Sequence, residues 1–93
     1  MEFTVLDTFI VNAVAERSFI NPKYPHFVQT AQSLNARFGS LSAIPGYSEL
    51  AAITAPHIRR IQTQGVSAEE SGLAAGFIVG AVNLFLQRNK LWL

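Results

Sequence analysis

The chain has 93 residues, of which 49% are apolar and only 14% are charged, and its formal net charge is +1. This length suits a single domain, residues 1–93, and is too short for two. The near-neutral charge excludes a strong field for collecting nucleic acid, and the absence of cysteine excludes disulfides and cysteine-ligated zinc. An average soluble domain carries about 25% charged residues, so part of this surface is either neutral polar or covered by a partner.

Apolar residues recur at helical spacing along the chain, beginning with a predicted helix at about residues 4–20. Thr4 can cap its start, and Asp7 lies three residues later in a position typical of a capping box. Two prolines in the following segment end this helix. A second helix is predicted from about Pro25 to Gly39, a residue suited to a left-handed C-terminal cap.

The third helix is predicted to begin with Ser48 as its N-cap and to close at Gly65. Pro56 interrupts it, because an interior proline removes a hydrogen bond and clashes with the preceding turn. The helix must therefore kink at this point, or stop and restart with Thr54 as a new cap. These two alternatives give the chain four or five helices.

The fourth helix has the clearest start, because Ser67 and Glu70 form the S-x-x-E pattern of a capping box. It runs to about Arg88, and within it Asn83 is the only polar side chain of the span Leu73–Leu86. A helix that is apolar on all sides is either buried or lies in a membrane. This span reaches only about 21 Å, less than the roughly 30 Å of a bilayer core, which favours a buried helix.

Glycines recur at every fourth position of this helix and share one narrow stripe with two polar residues. The stripe consists of Gly72, Gly76, Gly80, Asn83 and Gln87. Three interior glycines cost a helix roughly 0.8–1 kcal/mol each relative to alanine, so a packing reason is expected. We interpret the stripe as a contact with another helix, either from the same chain or from a second copy across a two-fold axis. A ligand lying against it is a third interpretation.

No pattern indicates catalysis, a cofactor or a metal ion. The two histidines, His26 and His57, are far apart and lie in no spacing typical of a metal or catalytic site. The glycines of the fourth helix lack the Gly-Lys-Ser/Thr ending of a phosphate loop. Helix starts account for four of the six carboxylates, namely Asp7, Glu49, Glu69 and Glu70. We therefore expect no enzyme activity, no cofactor and no metal site.

His57, Arg59 and Arg60 form the only basic cluster and are candidate partner-binding residues. A helix-turn-helix reading of Leu50–Gly65 is conceivable, although its spacing is too short and Pro56 falls where a helix should run. Seven lysines and arginines are also few for the phosphate contacts that DNA binding needs.

Together these patterns predict an all-α fold, a compact bundle of four or five short helices with the C-terminal helix at its centre. The expected function is a non-catalytic protein–protein interaction module that self-associates as a homodimer; a small regulatory inhibitor or accessory factor of a phage or bacterium would fit. We expect a cytoplasmic location, because the N-terminus is acidic where a signal peptide needs basic residues.

Two alternatives stay open. One is a DNA-binding transcriptional regulator that uses the segment His57–Arg60. The other is a membrane-associated small protein that uses the helix Gly72–Leu86, for which Trp92 beside Lys90 would supply an interfacial anchor.

Overall fold

The computed structural model describes residues 4–18 and 27–91, and the statements below concern that part of the chain. It contains no strand there, and its elements are four α-helices and one short 3-10 turn. They are α1 (Val5–Ser18), α2 (Phe27–Phe38), the 3-10 turn Leu41–Ala43, α3 (Tyr47–Gln62) and α4 (Ala68–Arg88). The predicted all-α fold is confirmed. The start predicted for α2 at Pro25 lies outside the described residues, as do His26 and Trp92.

The predicted capping box at the start of α1 is present in full. The Thr4 N–H donates to Asp7 Oδ2 at 3.1 Å, and the Asp7 N–H donates to Thr4 Oγ1 at 3.0 Å. These two bonds satisfy donors that have no partner inside the helix. Gly39 ends α2 as predicted, with φ of 87° and its N–H bonded to the Asn35 carbonyl at 2.8 Å.

The prediction for the start of α3 was wrong by two residues, because the N-cap is Gly46 rather than Ser48. Gly46 has φ of 88°, in the left-handed region that favours glycine. This conformation lets the Pro45-Gly46 turn lead directly into the helix, and the Leu50 N–H bonds to the Gly46 carbonyl at 3.0 Å. At its other end α3 stops at Gln62, and Gly65 lies beyond it with φ of 83°.

Pro56 does not break α3, which is helical on both sides of it, so the described residues form four helices and not five. Thr54 is accordingly a buried interior residue and does not cap a restarted helix. Its Oγ1 donates to the Leu50 carbonyl at 2.7 Å. Pro56 has no N–H to give to the carbonyl of Ala52, and its ring lies on the exposed side of the helix.

The fourth helix begins as predicted, since Ser67 Oγ accepts the Glu70 N–H at 3.1 Å. One side of α4 enters the core together with residues of α1, α2, α3 and the 3-10 turn. Its buried residues are Ala74, Ile78, Val82, Phe85 and Leu86. The helix packs most extensively on α3 and next on α1, so the central position predicted for it is confirmed.

Helices α3 and α4 form an antiparallel hairpin joined by residues 63–67. Near the connection, Arg60 lies 3.6 Å from Glu70. Further along, the His57 ring stacks on Phe77, with ring centroids 3.9 Å apart. At the far end, the Asn89 side chain donates to the carbonyl of Pro45 at 3.0 Å.

Candidate protein-binding surface on helix α4

The side of α4 that points away from the core is apolar and exposed. Three large apolar side chains are accessible there: Leu73 (71% exposed), Phe77 (47%) and Leu84 (56%). Gly76 and Gly80 lie among them and are exposed as well. We call these five residues, Leu73, Gly76, Phe77, Gly80 and Leu84, the outward face of α4. Val79 (44% exposed) is two residues from Phe77 and therefore lies on another side of the helix. Single exposed apolar residues are ordinary on a soluble protein, but a continuous group of them marks an interaction surface.

The glycine stripe lies on this outward side. A Cβ atom added at Gly72, Gly76 or Gly80 would meet no described atom within 4 Å, apart from the helix's own backbone. Among the described residues, therefore, no second helix of the same chain crosses the stripe. The structure therefore gives no support to a contact between the glycine stripe and another helix of the same chain. A contact between the stripe and a second copy of the chain stays a prediction.

The polar members of the stripe and the charges at the helix ends frame this face. Asn83 is half-buried and Gln87 is exposed. At the N-terminal end of α4, Glu69 and Glu70 are exposed, and at the C-terminal end Arg88 and Lys90 are exposed. The two ends of the same surface thus carry opposite charge.

A groove of about 510 Å³ runs beside the outward face, between α3 and α4. Its walls are mainly apolar and include Gly46, Leu50 and Ile53 on one side, and Phe77, Gly80 and Leu84 on the other. Glu49 and Arg88 also line it, so charged groups of both signs border it. Because three residues belong to both the groove and the outward face, an apolar side chain that enters the groove would also contact that face.

The three residues of the basic cluster, His57, Arg59 and Arg60, do not form one surface patch. His57 is half-buried and stacks on Phe77, which places it between the two helices. Arg60 is exposed, and Nη1 lies 3.6 Å from Glu70 Oε2. Arg59 is exposed and lines a separate depression between the start of α1 and α3. The structure therefore links His57 to the outward face of α4 and leaves Arg59 apart from it.

A polar contact that the sequence analysis missed joins α1 to α3. The Tyr47 hydroxyl donates to Asp7 Oδ1 at 2.6 Å, and Asp7 is buried. Burial and, second, the hydrogen bond to the Asp7 carboxylate raise the pKa of Tyr47 above 10.0. No local signal could indicate this pair, because its members are 40 positions apart.

Among the described residues, no group of three histidine, aspartate or glutamate side chains could hold a metal ion. One helix in that part of the chain, α4, is long and apolar enough to cross a membrane by length and composition. Only 28% of its most apolar 18-residue window is buried. The whole helix has 21 residues and extends about 31 Å, whereas the apolar span Leu73–Leu86, on which the length argument from the sequence rests, reaches about 21 Å.

Comparison of the chain with protein-family models, with curated proteins and with solved structures finds no match in any of the three.

Proposed function

We propose that this protein is a non-catalytic protein–protein interaction protein that binds through the outward face of α4, with a second copy of the chain as its partner. The observation that carries the proposal is the group of three exposed apolar side chains, Leu73, Phe77 and Leu84, on one helix face. Removing that apolar area from water would contribute roughly 25 cal/mol for each Å² buried. A partner that covers the face is therefore stabilised by contacts that the isolated chain does not make.

The glycines support a helical partner in particular. With no side chain at Gly76 and Gly80, a second helix can approach the backbone of α4 more closely than elsewhere. Closed two-fold dimers are the commonest assembly of soluble proteins, so a second copy is the simplest cover. The low charge of the chain agrees with this proposal, because few charged groups would have to be desolvated.

The test measures mass by sedimentation equilibrium over a wide range of protein concentration, for the wild type and for Gly76→Leu. We expect the wild type to shift from monomer to dimer as the concentration rises. Gly76→Leu should stay monomeric, because a leucine there keeps the second helix at a distance. Within the monomer the leucine meets no described atom and improves helix propensity by up to about 1 kcal/mol, so the diluted variant should be more stable than the wild type.

Ala36→Leu is the matched control, because it adds a leucine at an exposed helical position on α2. This control should dimerise as the wild type does. Equal dimerisation of all three proteins would remove the outward face from the interface. A wild type that stays monomeric at every concentration would contradict the proposed self-association.

A membrane-associated protein is the second candidate, and one observation favours it: α4 is about as long as a bilayer core is thick and is mostly unburied. Four exposed charges near its ends, Glu69, Glu70, Arg88 and Lys90, leave a stretch without charged side chains between Glu70 and Arg88. Sedimentation with neutral phosphatidylcholine vesicles separates the two candidates. The dimer proposal expects the protein in the supernatant, and stable recovery with the vesicles would favour the membrane protein.

A further inference from the structure

We propose that the groove between α3 and α4 binds a single-chain amphiphile with a zwitterionic head, whose apolar chain lies along the groove and whose head lies between Glu49 and Arg88. This site goes beyond the proposed function, because it takes a small molecule and not a second copy of the chain. It rests on the walls of the groove and on the charges at one of its ends, and it does not depend on self-association.

Two contacts between α3 and α4 mark the ends of the groove. At one end the Asn89 side chain donates to the carbonyl of Pro45, and at the other end the His57 ring stacks on Phe77. Phe77 and Arg88 both line the groove, and they lie about 16 Å apart along α4 at about 1.5 Å per residue. An extended alkyl chain can therefore lie in the groove parallel to the two helices.

The groove has a buried floor and exposed rims, and both are apolar. Leu50 and Phe85 on the floor are 4% and 5% exposed, whereas Ile53 and Leu84 on the rims are 53% and 56% exposed. Gly80 also lines the groove, and a Cβ atom added there would meet no described atom outside the helix backbone. A volume of about 510 Å³ with mainly apolar walls is usual for a site that binds a small organic molecule.

One carboxylate and one guanidinium border the same end of the groove. Glu49 lies in the first turn of α3 and Arg88 in the last turn of α4, and these turns are neighbours because the two helices are antiparallel. Both side chains are exposed and line the groove. Within the described part of the chain neither of them forms an ion pair, so both charges are available to a ligand.

These two charges favour a head that carries both signs. A cationic head would be attracted by Glu49 and repelled by Arg88, and an anionic head would meet the reverse. Lys90 lies beyond this end and does not line the groove, and Arg60 with Glu70 lies beyond the opposite end. The helix dipoles give no preference, because the positive N-terminus of α3 lies beside the negative C-terminus of α4. A head with one cation and one anion therefore complements this end best.

Titration calorimetry tests the preference with amphiphiles that share a ten-carbon chain and differ in the head. The probes are decylphosphocholine (zwitterionic), decyltrimethylammonium (cationic), decanoate (anionic) and decyl maltoside (uncharged). Each is used below its critical micelle concentration, with protein dilute enough to be monomeric by sedimentation. We expect decylphosphocholine to bind most tightly. Equal affinity for all four probes would show adhesion to apolar surface alone and overturn the proposal.

Glu49→Gln and Arg88→Gln test the position of the head, because each variant removes one charge and keeps the shape of the side chain. Glu49→Gln should weaken the binding of decylphosphocholine and of the cationic probe about two- to fivefold, the range for an exposed ion pair. Arg88→Gln should weaken the binding of decylphosphocholine and of the anionic probe by the same factor. Unchanged affinity for decylphosphocholine in both variants would contradict the proposed site.

Gly80→Leu tests the position of the chain, because the added side chain occupies part of the groove. Gly72→Leu is the matched control, since it adds the same side chain at an exposed position of the same helix outside the groove. Neither leucine meets a described atom at its Cβ, so both variants should melt at or above the temperature of the wild type. We expect Gly80→Leu to lose about tenfold or more in affinity for decylphosphocholine and Gly72→Leu to bind as the wild type does. Equal affinity of the two variants would place the ligand elsewhere and overturn the proposal.

Phosphatidylcholine vesicles separate a free amphiphile from a membrane lipid, because they present the same head in a bilayer. We expect the protein to stay in the supernatant with these vesicles while it binds monomeric decylphosphocholine, since the groove takes a single chain along its length. Recovery of the protein with the vesicles would make a membrane the ligand and overturn the proposal. Sedimentation equilibrium without any amphiphile decides the self-association independently of these results.

Discussion

At the residue scale, the hydrogen bond between Tyr47 and Asp7 is a polar link between α1 and α3. Asp7 accepts the Thr4 N–H as well as the Tyr47 hydroxyl, so one buried carboxylate both caps α1 and holds α3 against it. A buried carboxylate without its hydrogen-bond partners retains the full cost of desolvation.

We predict that Tyr47→Phe lowers the free energy of unfolding by about 1.5–3 kcal/mol, the range for a hydrogen bond to a charged group. The variant keeps the ring and removes only the hydroxyl, so packing is nearly unchanged. Urea denaturation followed by circular dichroism measures the change. Tyr24→Phe, outside the described residues, controls for the loss of a tyrosine, and equal losses in both variants would show that the Asp7 bond contributes nothing particular.

The same tyrosine predicts how stability depends on alkaline pH. Its folded-state pKa is raised above the ordinary value of 10.0, so the folded state favours the neutral phenol. The associated stabilisation is fully present below about pH 10 and is lost as the pH rises through the folded-state pKa. In Tyr47→Phe the stability should fall less steeply above pH 10 than in the wild type, and an identical slope in the two proteins would contradict the assignment.

At the scale of the elements, local capping signals predicted helix starts well where the capping side chain also acts locally. Thr4 with Asp7 and Ser67 with Glu70 both bond as their spacing implies. The start of α3 was placed at Ser48 because serine is a good N-cap, but a backbone feature, the left-handed Gly46, decides where that helix begins. The preference of a side chain for the N-cap position does not reveal the backbone conformation of a neighbouring residue.

The orientation of α4 could not be predicted from its sequence, for a physical reason. Periodicity identifies the buried side of a helix only when the opposite side is polar. The exposed Leu73 and Leu84 are as apolar as the buried Ile78 and Leu86. The sequence therefore indicated that α4 has two apolar sides, and only the packing of α3 and α1 shows which one remains uncovered.

At the scale of the elements, the testable prediction concerns the replacement of Pro56. Because α3 continues through it, replacement by alanine should restore a hydrogen bond to the carbonyl of Ala52 and remove a steric clash. We predict that Pro56→Ala raises the free energy of unfolding by up to about 3 kcal/mol. Pro45→Ala is the matched control, since that proline precedes the helix and its loss should lower stability by about 0.4–1 kcal/mol. A destabilised Pro56→Ala would mean that the packing of α3 on α4 depends on the proline.

At the scale of the whole molecule, the charge distribution bears on whether the protein binds nucleic acid. The net charge is +1, Arg60 lies beside Glu70, and His57 stacks on Phe77, so the basic cluster offers little to a phosphate backbone. We predict that fluorescence anisotropy detects no binding to duplex DNA at about 150 mM salt, because few counterions would be released. Tight, sequence-selective binding at that salt, abolished in Arg59→Ala, would restore the DNA-binding alternative.

The antiparallel hairpin of α3 and α4 also bears on how rapidly the chain reaches its native state. Its two helices are neighbours in sequence, and closing the short connection at residues 63–67 costs little entropy. Contacts between neighbouring elements form early in folding, whereas the docking of α1 on α4 has to wait for the closure of a much longer loop. We therefore expect the hairpin to form the folding nucleus, with α1 joining after the rate-limiting step. The outward face of α4 would then be available for pairing before the core is complete.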